Sequence, residues 1–251
     1  MIFVIAANEL RRMFYSPLAW FILAMLLLIE GLLFLVFIET FLTQVQPRFA
    51  GIDGAPGVTD SVISPLFLWA GVLMLGVMPL LTMRLFSEER ARQTLVLLRS
   101  APLSTTQMVL GKFFGLLGFI LAMLALILLM PLALAPFTSL DWGKLLSGAL
   151  GLFLLSASFG AAGLYLSTLT AQPTIAAVSS FGLLLFLVVL YLSGSSPGTA
   201  SELFVYLSHF GHFIAFLEGL FDTRHLSYYL LFIAAFLILA VRRLDNETLN
   251  R

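Results

Sequence analysis

Apolar positions run almost without interruption through six stretches of the chain, near Leu18–Ile38, Ser64–Met83, Phe113–Ala135, Leu145–Leu169, Ile175–Leu192 and Leu226–Val241. A helix needs roughly 20 such residues to cross a hydrocarbon core of about 30 Å. The first five runs fall in that range. The sixth has 16 residues, so its helix is expected to begin earlier, with Asp222 or Thr223 as N-cap. The pattern predicts an all-α fold: a polytopic membrane protein with six transmembrane helices, forming a single domain over residues 1–251.

Four stretches break the apolar pattern. Residues 1–16 mix Ile2, Phe3, Val4, Ile5 and Leu10 with Asn8, Glu9, Arg11 and Arg12 ahead of Pro17, which reads as an interfacial helix lying on the membrane surface. Glu39–Ile63 carries Pro47, Gly51, Gly54, Pro56 and Gly57, predicting a loop with little regular structure. Residues 84–112 are a charged, helix-patterned island. Residues 193–225 begin Gly/Ser-rich and continue as an apolar segment interrupted by Gly211 and Gly219. That segment is too broken to span. It is expected to be re-entrant, as one or two short helices dipping into the outer leaflet, where irregular backbone must be covered by protein or line a wet cavity.

Composition agrees with the pattern. Hydrophobic residues make up 61% of the 251, charged residues 10%, and the mean hydropathy is +1.07, whereas soluble domains carry about 25% charge. Thirteen basic residues balance thirteen acidic ones, so nothing points to a nucleic-acid partner. There is no cysteine, which excludes disulfides, thiolate metal sites and cysteine nucleophiles. The first apolar run is long enough to span and lacks a small-residue cleavage site, so no removed signal peptide is expected. Lys and Arg set the orientation. With the N-terminus inside, ten are cytoplasmic (Arg11, Arg12, Arg84, Arg90, Arg92, Arg99, Lys112, Arg242, Arg243 and Arg251) and three are outside (Arg48, Lys144 and Arg224). Both termini and the island are therefore expected in the cytoplasm.

Within the island, Glu88, Arg92 and Arg99 share one helical face, and Glu88 precedes Arg92 in the favourable order for an ion pair. Phe86, Leu97 and Leu98 lie on the other side. Pro102 disfavours helical geometry at Ala101, and Ser104 can cap a second short helix leading to Gly111 and Lys112. The expectation is a helix, a turn and a helix on the membrane surface.

These residues resemble the cytoplasmic segment of type-2 ABC exporter permeases, in particular the gliding-motility-type branch. That segment has an acidic-basic run, Gly-Thr, a hydrophobic residue, Glu, Leu-Leu, then Pro and later Gly-Lys. The chain matches it with Glu88, Glu89, Arg90, Thr94, Leu95, Leu97, Leu98, Pro102, Gly111 and Lys112. It departs at Gln93, in place of the Gly, and at Val96, in place of the Glu. The resemblance extends over the order of elements along the whole chain. It implies the transmembrane permease subunit of an ABC transporter in a bacterial cytoplasmic (inner) membrane. The island would be the coupling helix, with Glu88, Glu89, Arg90, Arg92, Thr94, Leu97, Leu98 and Pro102 forming the ATPase-coupling set. The implied partners are two copies of an ABC ATPase subunit, a second permease copy or paralogue, the lipid bilayer and, as a further candidate, an accessory extracytoplasmic protein. ATP and Mg would be bound by the ATPase. The chain has no G-x-x-x-x-G-K-[ST] phosphate loop, so it is expected to be no enzyme and to hold no cofactor itself.

Other candidates weigh less. Glu30 is the single acid well inside a predicted span, and intramembrane charge is usually functional or paired. His209, His212, Glu218, Asp222 and His225 cluster in the outer segment, but they lack the convergent spacing of a metal site and read as interfacial polar residues. Gly111 and Gly115, and Ser156 and Gly160, are spaced for close helix packing. Pro79, Pro131 and Pro136 lie near span ends, where termination is the plain reading. The expected function is export of an amphipathic substrate driven by a separate ATPase. The alternatives are a non-transporting membrane subunit that passes ATPase motion to a partner complex, and a secondary transporter or channel.

Overall fold

Pro17 separates the first helix from the first candidate span. It disfavours helical geometry at the residue before it, and Ser16 is extended, with φ −81° and ψ 125°. Helix α1, Ile2–Tyr15, therefore stops there, and α2, Pro17–Thr40, starts with proline at its first position, where no intrahelical N–H is lost. The computed structural model describes residues 1–49, 56–93, 104–194 and 207–249, and these contain no strand.

Six helical rods are long and apolar enough to cross a membrane. The first is α2, which runs on through a π-helical turn, Phe41–Val45, into α3, Gln46–Phe49. The second enters by another π-helical turn, Thr59–Ile63, into α4, Ser64–Thr82, and is followed by the short α5, Ser87–Ala91. The others are α6, Thr105–Leu134, α7, Trp142–Leu169, α8, Pro173–Gly194, and α10, Thr223–Leu249; the short α9, His209–Leu217, precedes α10. The expected irregular loop over Glu39–Ile63 is thus helical at both ends. Its hydroxyls do not pull the backbone out of the helix, because Thr40 and Thr43 donate to the carbonyls of Val36 and Glu39 at 2.8 and 2.7 Å. The last span begins at Thr223, with the Asp222 carboxylate accepting from the Arg224 N–H at 2.9 Å, as the sequence predicts. That bond holds the Asp222 carboxyl below its usual range. Pro79 and Pro131 do not terminate α4 and α6, which continue to Thr82 and Leu134.

Helix α7 is the centre of the bundle. In its most apolar stretch 78% of the residues are buried, against 22% in the first and fifth spans and 11% in the last. Small residues make this possible. A Cβ on Gly151 would lie 2.6 Å from the Cβ of Phe216, and one on Gly160 would lie 2.7 Å from Leu116 Cδ2, so α9 and α6 approach the α7 backbone directly. Three of the buried α7 hydroxyls are satisfied within the helix: Ser156, Ser158 and Ser167 donate to Leu152, Leu155 and Leu164 carbonyls at 2.6–2.7 Å.

Helix α9 packs against α7, α8, α4 and α10. Its buried side includes Phe210, Phe213 and Phe216, and Gly219, with φ +83°, ends the turn after it. The outer histidines are more than interfacial polar groups. His209 and His212 are buried. His209 Nδ1 is 2.9 Å from the Tyr228 hydroxyl, His212 Nδ1 is 2.6 Å from His225 Nδ1, and the Tyr229 hydroxyl donates to the His209 carbonyl at 2.7 Å. These contacts clamp α9 to α10. Residues 195–206 of the expected re-entrant segment lie outside the described residues.

Gly151→Val should destabilise the bundle by about 1–3 kcal/mol through overpacking against Phe216. Gly76→Ala, whose new Cβ meets nothing within 4 Å, should leave stability unchanged. Thermal unfolding in detergent distinguishes the two.

Candidate functional site

At one end of the bundle α1, α5, α6 and the C-terminal turns of α10 converge on a network of charges. Helix α1 reaches it because α6 offers no side chain in its path. A Cβ on Gly111 would sit 2.7 Å from Ile5 Cβ, and one on Gly115 would sit 2.8 Å from Glu9 Cβ and 2.9 Å from the Ala6 carbonyl oxygen. Lys112 lies between these glycines, so the close approach of α1 brings Glu9 over it.

Helix α5 arrives from the other side. After α4 ends at Thr82, Leu85 and Phe86 are buried, and the Ser87 hydroxyl donates to the Met83 carbonyl. Glu88 and Glu89 occupy the first turn of α5 and Arg90 the last, the favourable arrangement for the helix dipole. Lys112 Nζ donates to Glu89 Oε1 at 2.6 Å, to the Leu85 carbonyl at 2.7 Å and to Glu9 Oε2 at 3.2 Å. All three of its N–H groups are therefore used. Nζ also lies 5.0 Å from the Phe86 ring centroid. Lys112 is 1% exposed, Glu9 6% and Glu89 8%, so this is a buried ion cluster.

Around it lies a half-buried layer. Arg12 bridges Glu88 at 3.2 Å and Glu89 at 3.3 Å, with Glu9 at 3.8 Å. Arg92 pairs with Glu88 at 2.7 Å while remaining 72% exposed. Arg90 reaches Glu247 of α10 at 2.7 Å, and Arg243 joins the same carboxylate at 3.3 Å. The two ends of the chain and the island thus meet at the same end of the bundle.

The sequence anticipates the Glu88–Arg92 pair and the Ser104 cap. Ser104 Oγ accepts from the Gln107 N–H at 3.2 Å, and Gln107 answers with a capping box. Three expectations are corrected. The helix that Ser104 caps is not a short surface piece but the start of α6, which continues to Leu134. Lys112 is buried within it rather than placed in water. Glu89 is also buried, so it is unavailable as a solvent-facing contact. Thr94, Leu97, Leu98, Arg99 and Pro102 lie outside the described residues. Glu9, Arg12 and Glu247 also join the network, Arg12 and Glu247 without a local sequence signal that marks them as site residues. The usable signal for Glu9 is its position on the α1 face shared with Ile2, Ile5 and Met13, an acid on an otherwise apolar stripe.

Gln93 has φ +56°, the left-handed region that favours glycine. It is the position at which the resemblance places a glycine. Glu30 lies elsewhere, midway along α2. It is fully buried on the face shared with Ala19, Ile22, Leu23 and Leu26, and neither carboxylate oxygen has a hydrogen-bond partner among the described residues. Among the described residues no group of three or more His, Cys, Asp or Glu is placed to hold a metal ion.

Lys112→Met removes the buried cation between Glu9 and Glu89, leaves only the half-exposed Arg12 to pair with them, and should cost about 3–5 kcal/mol. Adding Glu9→Gln and Glu89→Gln should recover much of that loss. The comparison of thermal unfolding for the single and triple variants checks both statements.

No curated protein matches the chain by sequence. The family model described as ABC-2 family transporter protein matches residues 3–247, which includes all six spans and the charged end. The chain belongs to the ABC-2 transporter family, as a multi-pass permease subunit of an ABC transporter.

Proposed function

We propose that the protein is the permease of an exporter in a bacterial cytoplasmic membrane, working as a pair of permease subunits with two ATPase copies that hold ATP and Mg. The family implies partnership with an ABC ATPase; pairing, direction and an amphipathic substrate are this reading's own. The charged end faces the cytoplasm, a placement supported by the ten-to-three distribution of Lys and Arg. Residues 84–112 couple the ATPase to the membrane helices, with Arg92, Thr94, Leu97, Leu98 and Pro102 on or near the docking surface.

The observation that carries the reading is the wiring of α5. Glu89 ties it to α6 through Lys112, Glu88 and Glu89 tie it to α1 through Arg12, and Arg90 ties it to α10 through Glu247. A displacement of α5 by a moving ATPase therefore acts on three helices at once. Glu88, Glu89 and Arg90 serve as the internal linkage, while Arg92 is the charge left facing outward. The segment 193–225 re-enters the membrane from the far side, a reading supported by the apolar burial of α9.

Arg92→Glu should reduce co-purification of the partner ATPase by about tenfold, equivalent to ~1.4 kcal/mol, without lowering the melting temperature. Arg242→Glu makes the same charge change at an exposed position on α10 and should retain the ATPase. Equal retention by both would remove Arg92 from the docking surface.

Glu30 is proposed to act in the transport cycle through a protein or water contact formed outside the resting state. Glu30→Gln and Glu30→Leu should both assemble with the ATPase, and both should lower substrate-dependent ATP hydrolysis in vesicles. Parent-like hydrolysis in Glu30→Leu would make the residue incidental.

A further inference from the structure

Beside the charged network, α2 and α4 diverge and leave an open apolar groove of 310 Å³. Leu18, Phe21 and Met25 form one wall, and Leu73, Gly76 and Leu80 form the other. At the charged end the groove meets a second pocket, of 170 Å³, between α1, α2 and α4. Leu18 and Leu80 border both, so the two adjoin. The second pocket is polar at its rim, where Arg12, Ser16, Arg84 and Glu88 contribute.

Charge at that rim is unevenly spent. Glu9 is held by Lys112, and Glu88 by Arg12 and Arg92. Arg84 is exposed and has no ion pair among the described residues. Among the described residues, the unpaired charge lining the adjoining pocket is therefore a guanidinium, which suits a phosphate because it donates several N–H bonds in a fixed plane.

The dimensions select the occupant. The groove extends along α2 from Leu18 to Ile29, eleven residues or about 16 Å at the helical rise. One leaflet is about 15 Å deep, half of a ~30 Å core. An acyl chain that ends at mid-depth matches a groove of this length. Gly76 widens the groove, since no atom lies within 4 Å of where its Cβ would be. Basic pockets beside apolar helix surfaces commonly hold anionic lipid headgroups.

We propose that the groove and the pocket together form a binding site for one anionic phospholipid from the leaflet at the charged end, with an acyl chain between α2 and α4 and the phosphate at Arg84. The lipid would touch α1, α2 and the end of α4 together. This site does not depend on the coupling role of α5, and either can fail without the other.

The test is native mass spectrometry of the full-length protein in detergent, with phosphatidylglycerol, phosphatidylcholine or glycerol phosphate added. The parent should retain one phosphatidylglycerol per chain at a concentration about tenfold below that needed for phosphatidylcholine, a difference of ~1.4 kcal/mol, and should retain no glycerol phosphate. Arg84→Gln should abolish the preference between the two lipids. Gly76→Leu should lower retention of both, and Gly76→Ala should not. Met25→Trp fills the groove from the opposite wall and serves in place of Gly76→Leu if that variant does not fold. The proposal is overturned if the parent retains neither lipid, or if the groove-filling variants bind as the parent does. Retention of glycerol phosphate alone would reduce the site to an anion at Arg84. Dissociation of an oligomer by Gly76→Leu with lipid retention unchanged would assign the groove to a second copy of the chain. Either result also overturns the proposal.

Discussion

An ammonium withdrawn from water must find acceptors for all of its protons, and Lys112 finds them on three different parts of the chain. Glu9 comes from the N-terminal helix α1, the Leu85 carbonyl from the turn after α4, and Glu89 from α5. None of these groups is well placed without the others. Two buried carboxylates repel unless a cation lies between them, and a buried cation is costly unless the carboxylates are ionised and close. The cluster therefore forms as a unit or not at all. This makes the charged end of the bundle more than a polar surface, because α1 and α5 are held to the membrane helices by the same buried atom.

Two packing features let the cluster exist. Gly111 and Gly115 bring α1 onto α6, and Leu85 and Phe86 bury the entrance to α5. The deeper bundle follows the same logic of small against large. Helix α7 supplies glycines and serines, and its neighbours supply Phe67, Phe213, Phe216 and Leu116. Without a hydrophobic driving force between helices in lipid, such close approach is what holds spans together. One polar contact, of His209 and His212 with Tyr228 and Tyr229, lies where α9 meets α10.

The spans were legible in the sequence because hydrocarbon imposes a length and excludes charge, and both constraints leave a one-dimensional trace. So did the local signals at helix ends: Ser104, Asp222 and Pro17 all stand where structure places a boundary. Only the ends of the expected loop over Glu39–Ile63 depart from the reading: Pro47 and the glycines suggest a break, while the helices extend through the flanking Thr40, Thr43 and Thr59. The site was half legible. Glu88 and Arg92 are four residues apart and visible as a pair, whereas Lys112 pairs with Glu9, 103 residues away, and no local periodicity reports such a contact. Positive-inside counting itself hid the feature, since it treats each Lys and Arg as a solvated charge and Lys112 is not one.

The serines of α7 have a consequence for how the protein is made. A span is handed to the bilayer before its final neighbours are present, and an unsatisfied hydroxyl would resist that transfer. Ser156, Ser158 and Ser167 each donate to a carbonyl three or four residues earlier in their own helix, a bond available as soon as the helix has formed. The helix that ends as the most enclosed element of the bundle can therefore enter the lipid with those hydroxyls satisfied and wait there for its partners.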